Sequence, residues 1–175
     1  MEDETPDLAD RWHEMLFGIR RSIRYHQRRR SFFDRLDQGS NMLSVIFGSA
    51  AIYGILERDY QAVALVASAL VTVLASINLV VGSAQRARAH SDFARRYIEL
   101  EKRMLDRPGE QALQQVSADR LGIEAEEPPV LHVLNAICHN EMMRAMGYKK
   151  DELAKIGWCQ RLVAQLFDFR EHAIH

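Results

Sequence analysis

The sequence is poor in the residues that punctuate or staple a fold, with two cysteines, four prolines and nine glycines among 175 positions. Two cysteines exclude a disulfide scaffold. So few turn formers exclude an all-β fold of many short strands and leave helices as the expected architecture. Aromatic residues are scarce, at 8%. Neither sign of charge dominates, since 23 Lys and Arg face 24 Asp and Glu, which excludes a globally basic nucleic-acid binder. An apolar share of 47% excludes a disordered chain.

Signatures of chemistry are missing as well. No GxxxxGK[ST], GxGxxG or GxSxG run occurs, and no CxxC or HxxxH pair. Cys138-His139, with His132 seven residues earlier, is the only Cys/His cluster, and its members point apart on a helix, so no metal is expected. Glu99 and Glu101 diverge on a helix, and Glu124, Glu126 and Glu127 fall in a predicted loop, so no catalytic carboxylate pair forms. The reading is of a non-enzyme without a cofactor.

Charge itself is absent from two adjacent windows. No Asp, Glu, Lys, Arg or His occurs from Gln38 to Leu56, or between Tyr60 and Gln85. The second window holds Ala62 to Ala84, whose 23 residues include eleven Val, Leu and Ile. As a helix it would span about 34 Å, enough for a hydrocarbon core of about 30 Å with some tilt. The first, Asn41 to Leu56, would reach only about 24 Å and needs its neighbour, bilayer thinning or a snorkelling Arg35 to span. Five residues, Glu57 to Gln61, separate the two and suffice for a tight hairpin. Seven Lys or Arg against two acids lie from Arg20 to Ser40, and seven against four from Gln85 to Arg107. The positive-inside rule then places both termini in the cytoplasm. The acidic first 19 residues lack the apolar core of a cleavable signal. A soluble helical protein that buries both windows remains the bland alternative.

The flanks carry helical seams. Trp12, Leu16, Ile19, Ile23 and His26 recur at steps of four and three, as do His90, Phe93, Tyr97, Leu100 and Met104. The second apolar helix is expected to run on to about Asp106, where Pro108-Gly109 stops it. Two helices leaving a hairpin centred near Asp59 bring His26 opposite residue 92, beside His90. A metal or pH-switch role for this pair competes with plain packing. Glu110 to Gly122 reads as a short polar helix or a loop. Val130 to Met146 reads as a buried helix ended by Gly147, and a last helix from Lys150 to Phe169 gathers Cys159, Leu162, Val163, Leu166 and Phe167 on one face. The organisation expected is all-α: an N-terminal segment (1–40), a transmembrane hairpin (41–84, helices 41–56 and 62–84), its extension (85–107), and a small C-terminal helical bundle (108–175).

Small residues mark candidate contact surfaces. Ala64, Ser68, Thr72 and Ser76 follow at steps of four, with Ser83 one heptad on, forming a hydroxyl-bearing stripe. The first helix adds Ser44 and Gly48, and the pair Ala50 and Gly54. Such faces point to a homo-oligomer within the bilayer, in which Ser68, Thr72, Ser76 and Ser83 either pack helices or line a polar path. Arg28, Arg29, Arg30, Arg35, Arg86 and Arg88 flank the apolar windows and are expected to meet anionic lipid headgroups rather than nucleic acid.

RYHQRRRSFFDRL (24–36), SVIFGSAAIYG (44–54), the five-residue turn and RARAHSDFARRYIELEKRM (86–104) together resemble the SLATT domain, a family of two-transmembrane effectors associated with SMODS and SLOG domains. The resemblance covers roughly Trp12 to Met104. It implies a bacterial or prophage inner-membrane effector that oligomerises and perturbs the membrane when a separately encoded sensor or regulator detects phage, and it offers no catalytic residue. Two functions stay open: a membrane-permeabilising effector, or a non-pore anchor whose cytoplasmic helices bind a protein partner.

Overall fold

The computed structural model describes residues 7–169 and 171, and among these every regular element is helical. The outer ends of the 1–40 and 108–175 segments, residues 1–6, 170 and 172–175, lie outside the described residues. The order is α1 (Leu8–Leu56), a 3₁₀ turn (Arg58–Tyr60), α2 (Gln61–Val81), α3 (Ser83–Arg103), α4 (Glu110–Glu126), α5 (His132–Ala145), a second 3₁₀ turn (Lys150–Glu152) and α6 (Trp158–Val163). No proline occurs between Pro6 and Pro108, so nothing removes a backbone donor from α1, α2 or α3. The chain forms two compact units, one of residues 30–89 and one of residues up to 29 and from 90 onward.

The hairpin unit is built from the end of α1, α2 and the start of α3. Its turn is tight: the Glu57 N–H donates to the Tyr53 carbonyl at 3.0 Å, and the Tyr60 N–H to the Glu57 carbonyl at 3.0 Å. The covered positions recur at helical spacing, as Ser44, Phe47, Gly48, Ala51 and Gly54 on α1 and Ala64, Ala67, Val71, Leu74 and Asn78 on α2. Most are small, which permits close helix approach. The unit extends beyond the expected 41–84 hairpin because Phe33 is buried beneath the Arg86 guanidinium, 5.7 Å from its ring centroid.

One continuous second helix from Ala62 to Asp106 was the expectation, and the chain departs from it at Gly82. That residue adopts φ 60° and ψ 44°, the left-handed region that glycine alone enters without penalty, and splits the run into α2 and α3. Its N–H still donates to the Asn78 carbonyl at 2.9 Å, so the interruption leaves no orphan donor. The helix after it ends at Arg103, three residues before the expected stop.

The helical unit joins the two predicted seams. Trp12, Ile19, Ile23, Tyr97, Leu100 and Met104 form one buried cluster, with Leu16 and Phe93 at its margin. The segment after Pro108, read as a short polar helix or a loop, is a helix and not a polar one throughout. It forms α4, 17 residues long, and delivers Leu113, Val116 and Ile123 to that cluster as a third seam. A second cluster gathers Tyr25, Val133, Leu134, Cys138 and Ala164 around α5. Gly147, at φ 84°, ends α5 as expected. The predicted last helix shrinks to the six residues of α6, and its apolar face is inverted: Cys159, Leu162, Leu166 and Phe167 are exposed, while Gln160 and Ala164 are buried. Asp168 explains the early stop. Its carboxylate accepts the N–H groups of His132 and Val133 at 2.9 Å each, capping α5, and this pulls the chain out of helical register.

Candidate functional site

The outer surface of the hairpin is the first candidate. Both long helical runs, Leu8–Leu56 and Gln61–Arg103, contain a stretch long and apolar enough to cross a membrane, and only 11% of the most apolar 18-residue window in each is buried. An apolar helix in a soluble core would be mostly covered. Here Val45, Ile55, Leu65, Leu79 and Val80 are all more than two-thirds exposed, with Leu79 at 85%.

Ser68, Thr72 and Ser76 lie on that outer surface. Each step of four residues rotates a helical position by about 40°, so the stripe drifts away from the covered face that begins at Ala64. Each hydroxyl donates to the carbonyl one turn back: Ser68 to Ala64 at 2.8 Å, Thr72 to Ser68 at 2.9 Å, and Ser76 to Thr72 at 2.8 Å. That satisfies all three hydroxyl protons and leaves each oxygen able to accept a further bond. Ser83 does not share this surface. It follows the Gly82 break, is 1% exposed, and its hydroxyl has no hydrogen-bond partner.

Among the small residues, Gly54 is buried, and a Cβ there would lie 2.7 Å from the Tyr60 carbonyl oxygen and 3.0 Å from the Ala64 Cβ. Gly48 differs, because a Cβ there would meet nothing within 4 Å. Ser44 and Ala50 are half-buried. Near them a polar pair that sequence reading missed joins the helices: the Asn78 amide donates to the Asp37 carboxylate at 3.3 Å. The basic residues divide. Arg28 pairs with Glu141, and Arg29 donates to the Gln165 carbonyl at 2.5 Å, so both hold protein partners where lipid headgroups were expected. Arg30 pairs with Asp34 at 3.5 Å one turn away, and Arg35, Arg86 and Arg88 are exposed. No family model, curated protein or solved structure matches this chain.

The helical unit holds a buried polar chain. His26 and His90, 1% and 4% exposed, set their Nδ1 atoms 2.9 Å apart, and His26 Nε2 lies 3.0 Å from the Glu127 carboxylate. The carboxylate accepts only, so His26 carries its proton on Nε2, and the neutral pair is completed by His90 Nδ1–H donating to His26 Nδ1. Tyr97 stacks on His26 with centroids 5.8 Å apart. Burial alone would push the Glu127 carboxyl up, but the His26 hydrogen bond and the nearby Tyr97 hydroxyl, which itself makes no well-formed bond, outweigh it and hold the group below its ordinary value. Burial and the same carboxylate push the Tyr97 phenol up. His26 bridges its neighbours in a line, a geometry suited to passing or fixing protons rather than to enclosing a metal. Proximity of the two histidines was legible from the hairpin register, whereas nothing in the sequence signalled that Glu127, just past the end of α4, reaches them. The exposed group His132, Asp168 and Glu171 also brings one ligand atom from each within 4.8 Å, yet Asp168 is already the cap of α5.

Proposed function

We propose that the chain is a two-pass membrane protein whose hairpins associate side by side and permeabilise or depolarise a bacterial inner membrane. Its helical unit then lies in the cytoplasm and regulates the assembly. The uncovered apolar surface of the hairpin carries this reading, since so many exposed Val, Leu and Ile side chains would drive aggregation in water but are at home in lipid. The outward stripe of Ser68, Thr72 and Ser76 supplies a small, polar contact line for a second copy. Exposed Arg35, Arg86 and Arg88 beside the apolar windows favour cytoplasmic termini. The resemblance to SLATT effectors adds a role in anti-phage defence or inter-genomic conflict, triggered by a separately encoded regulator.

One observation favours a second reading, that of a non-pore anchor and adaptor. The stripe hydroxyls are bound to their own backbone, as in helices that merely pack. Membrane fractionation with an alkaline wash, combined with a potential-sensitive dye during induced expression, separates the two. Wash-resistant protein with collapse of the potential supports the effector. Wash-resistant protein with a normal potential favours the anchor, and release into the soluble fraction overturns both.

A further inference from the structure

A cleft of about 680 Å³ opens between the beginning of α1 and α4 and holds one arginine, Arg21, with no ion-pair partner among the described residues. Met15, Phe17, Leu113 and Leu121 supply an apolar wall, and the exposed Glu14 stands at the lining as well. Three arginines line it, Arg11, Arg21 and Arg120, and the last two are the ones not held by a bidentate carboxylate.

Neither is fully satisfied. Arg21 Nε is buried without a hydrogen-bond partner, and no carboxylate among the described residues pairs with this side chain. Glu124 is close enough to act on it electrostatically, but the Glu124 carboxylate is taken by Arg120 Nε at 2.7 Å. On the cleft side, Arg120 Nη1 reaches only the Met15 sulfur at 3.6 Å, a weak acceptor. The Arg120 guanidinium lies over Gly18, where a Cβ would sit 2.8 Å from Nη1. His139, in edge contact with Phe17 at 5.1 Å, also feels the Arg21 charge: burial, then that cation, holds its imidazole below the ordinary value. Arg11, at the far end, differs because Glu110 engages it with both oxygens. A half-buried cation beside a second cation costs stability unless an anion joins them.

We infer that this cleft binds a small organic oxyanion, an apolar or aromatic body ending in a phosphate or carboxylate, with Arg21 and Arg120 gripping the anionic end and Phe17, Leu113 and Leu121 covering the body. Two forked guanidiniums suit such an end, and the volume suits a ligand of that size. The site stands whether or not the hairpin permeabilises a membrane.

The test uses the full chain in detergent micelles at constant ionic strength, with phenyl phosphate as probe in calorimetric titration and thermal unfolding. Saturable binding is expected, about tenfold or more tighter than that of inorganic phosphate or benzyl alcohol, because both halves of the cleft are used. Arg21→Met should abolish it while leaving the unliganded melting temperature unchanged or higher, since an unpaired buried charge is removed. Gly18→Ala, whose methyl displaces Arg120 Nη1, should weaken binding severalfold in a folded chain. Failure of the wild-type chain to take up phenyl phosphate, or equal uptake by Arg21→Met, overturns the site. Equal affinity for inorganic phosphate overturns the apolar half of the assignment.

Discussion

A carboxylate is rarely buried beside two imidazoles without consequence for pH. Glu127 titrates below its ordinary value in the folded chain, so the unfolded chain binds the extra proton first as pH falls. Its contribution is therefore present above the unfolded carboxyl value of about 4.3 and is lost as pH drops through the lower folded one. Glu127→Gln should cost about 1–3 kcal/mol at neutral pH, through loss of the charge-assisted bond to His26. The variant should also flatten the acid limb of the stability profile, measured by denaturant unfolding of the detergent-solubilised chain. The two cysteines separate as cleanly. Burial pushes the Cys138 thiol up to about 12, while Cys159 is exposed. At pH 8 iodoacetamide should modify the folded chain once, at Cys159, and mass spectrometry of the digest would read two labelled sites if Cys138 were accessible.

At the scale of the element, small residues and glycine conformation decide what the helices do. Gly54→Val places two methyl groups against the Tyr60 carbonyl and Ala64, and overpacking of this kind costs about 1–3 kcal/mol. Gly48→Ala meets open space within α1 and should be neutral or stabilise the hairpin by up to about 1 kcal/mol. Comparing the two variants for protease resistance and yield of folded protein tests whether the close approach at Gly54 closes the hairpin. The seams on α1 and α3 were legible because their apolar residues repeat strictly at three and four. Leu113, Val116 and Ile123 of α4 keep the same spacing, but Arg120 takes the intervening seam position, and the surrounding Gln, Glu and Ala made the segment read as polar. The end of the chain was illegible for another reason. Its apolar residues follow a helical period, yet the bonds from His132 and Val133 to Asp168, and the reciprocal pair in which the Asn140 amide donates to the Ala154 carbonyl at 2.7 Å and accepts the Ala154 N–H at 2.9 Å, fix an irregular path that no local pattern announces.

For the whole molecule, the distribution of charge carried more information than any motif. Two windows without an ionisable group, flanked by arginine, were enough to locate the two apolar helices, whose uncovered Val, Leu and Ile side chains are compatible with a membrane-crossing hairpin. Composition was silent on which small residues face a neighbouring helix, because Ala64 and Ser76 belong to one sequence stripe but to different surfaces. If that outer surface joins hairpins, Ser68→Leu and Ser76→Leu should each abolish depolarisation while membrane insertion persists. Unchanged depolarisation in both would remove the stripe from the mechanism. Counting the copies in such an assembly needs no engineered tag. With Cys138 shut inside the second core and Cys159 open, every wild-type chain accepts a single maleimide fluorophore. The number of photobleaching steps in one detergent particle or one liposome then equals the number of subunits it holds.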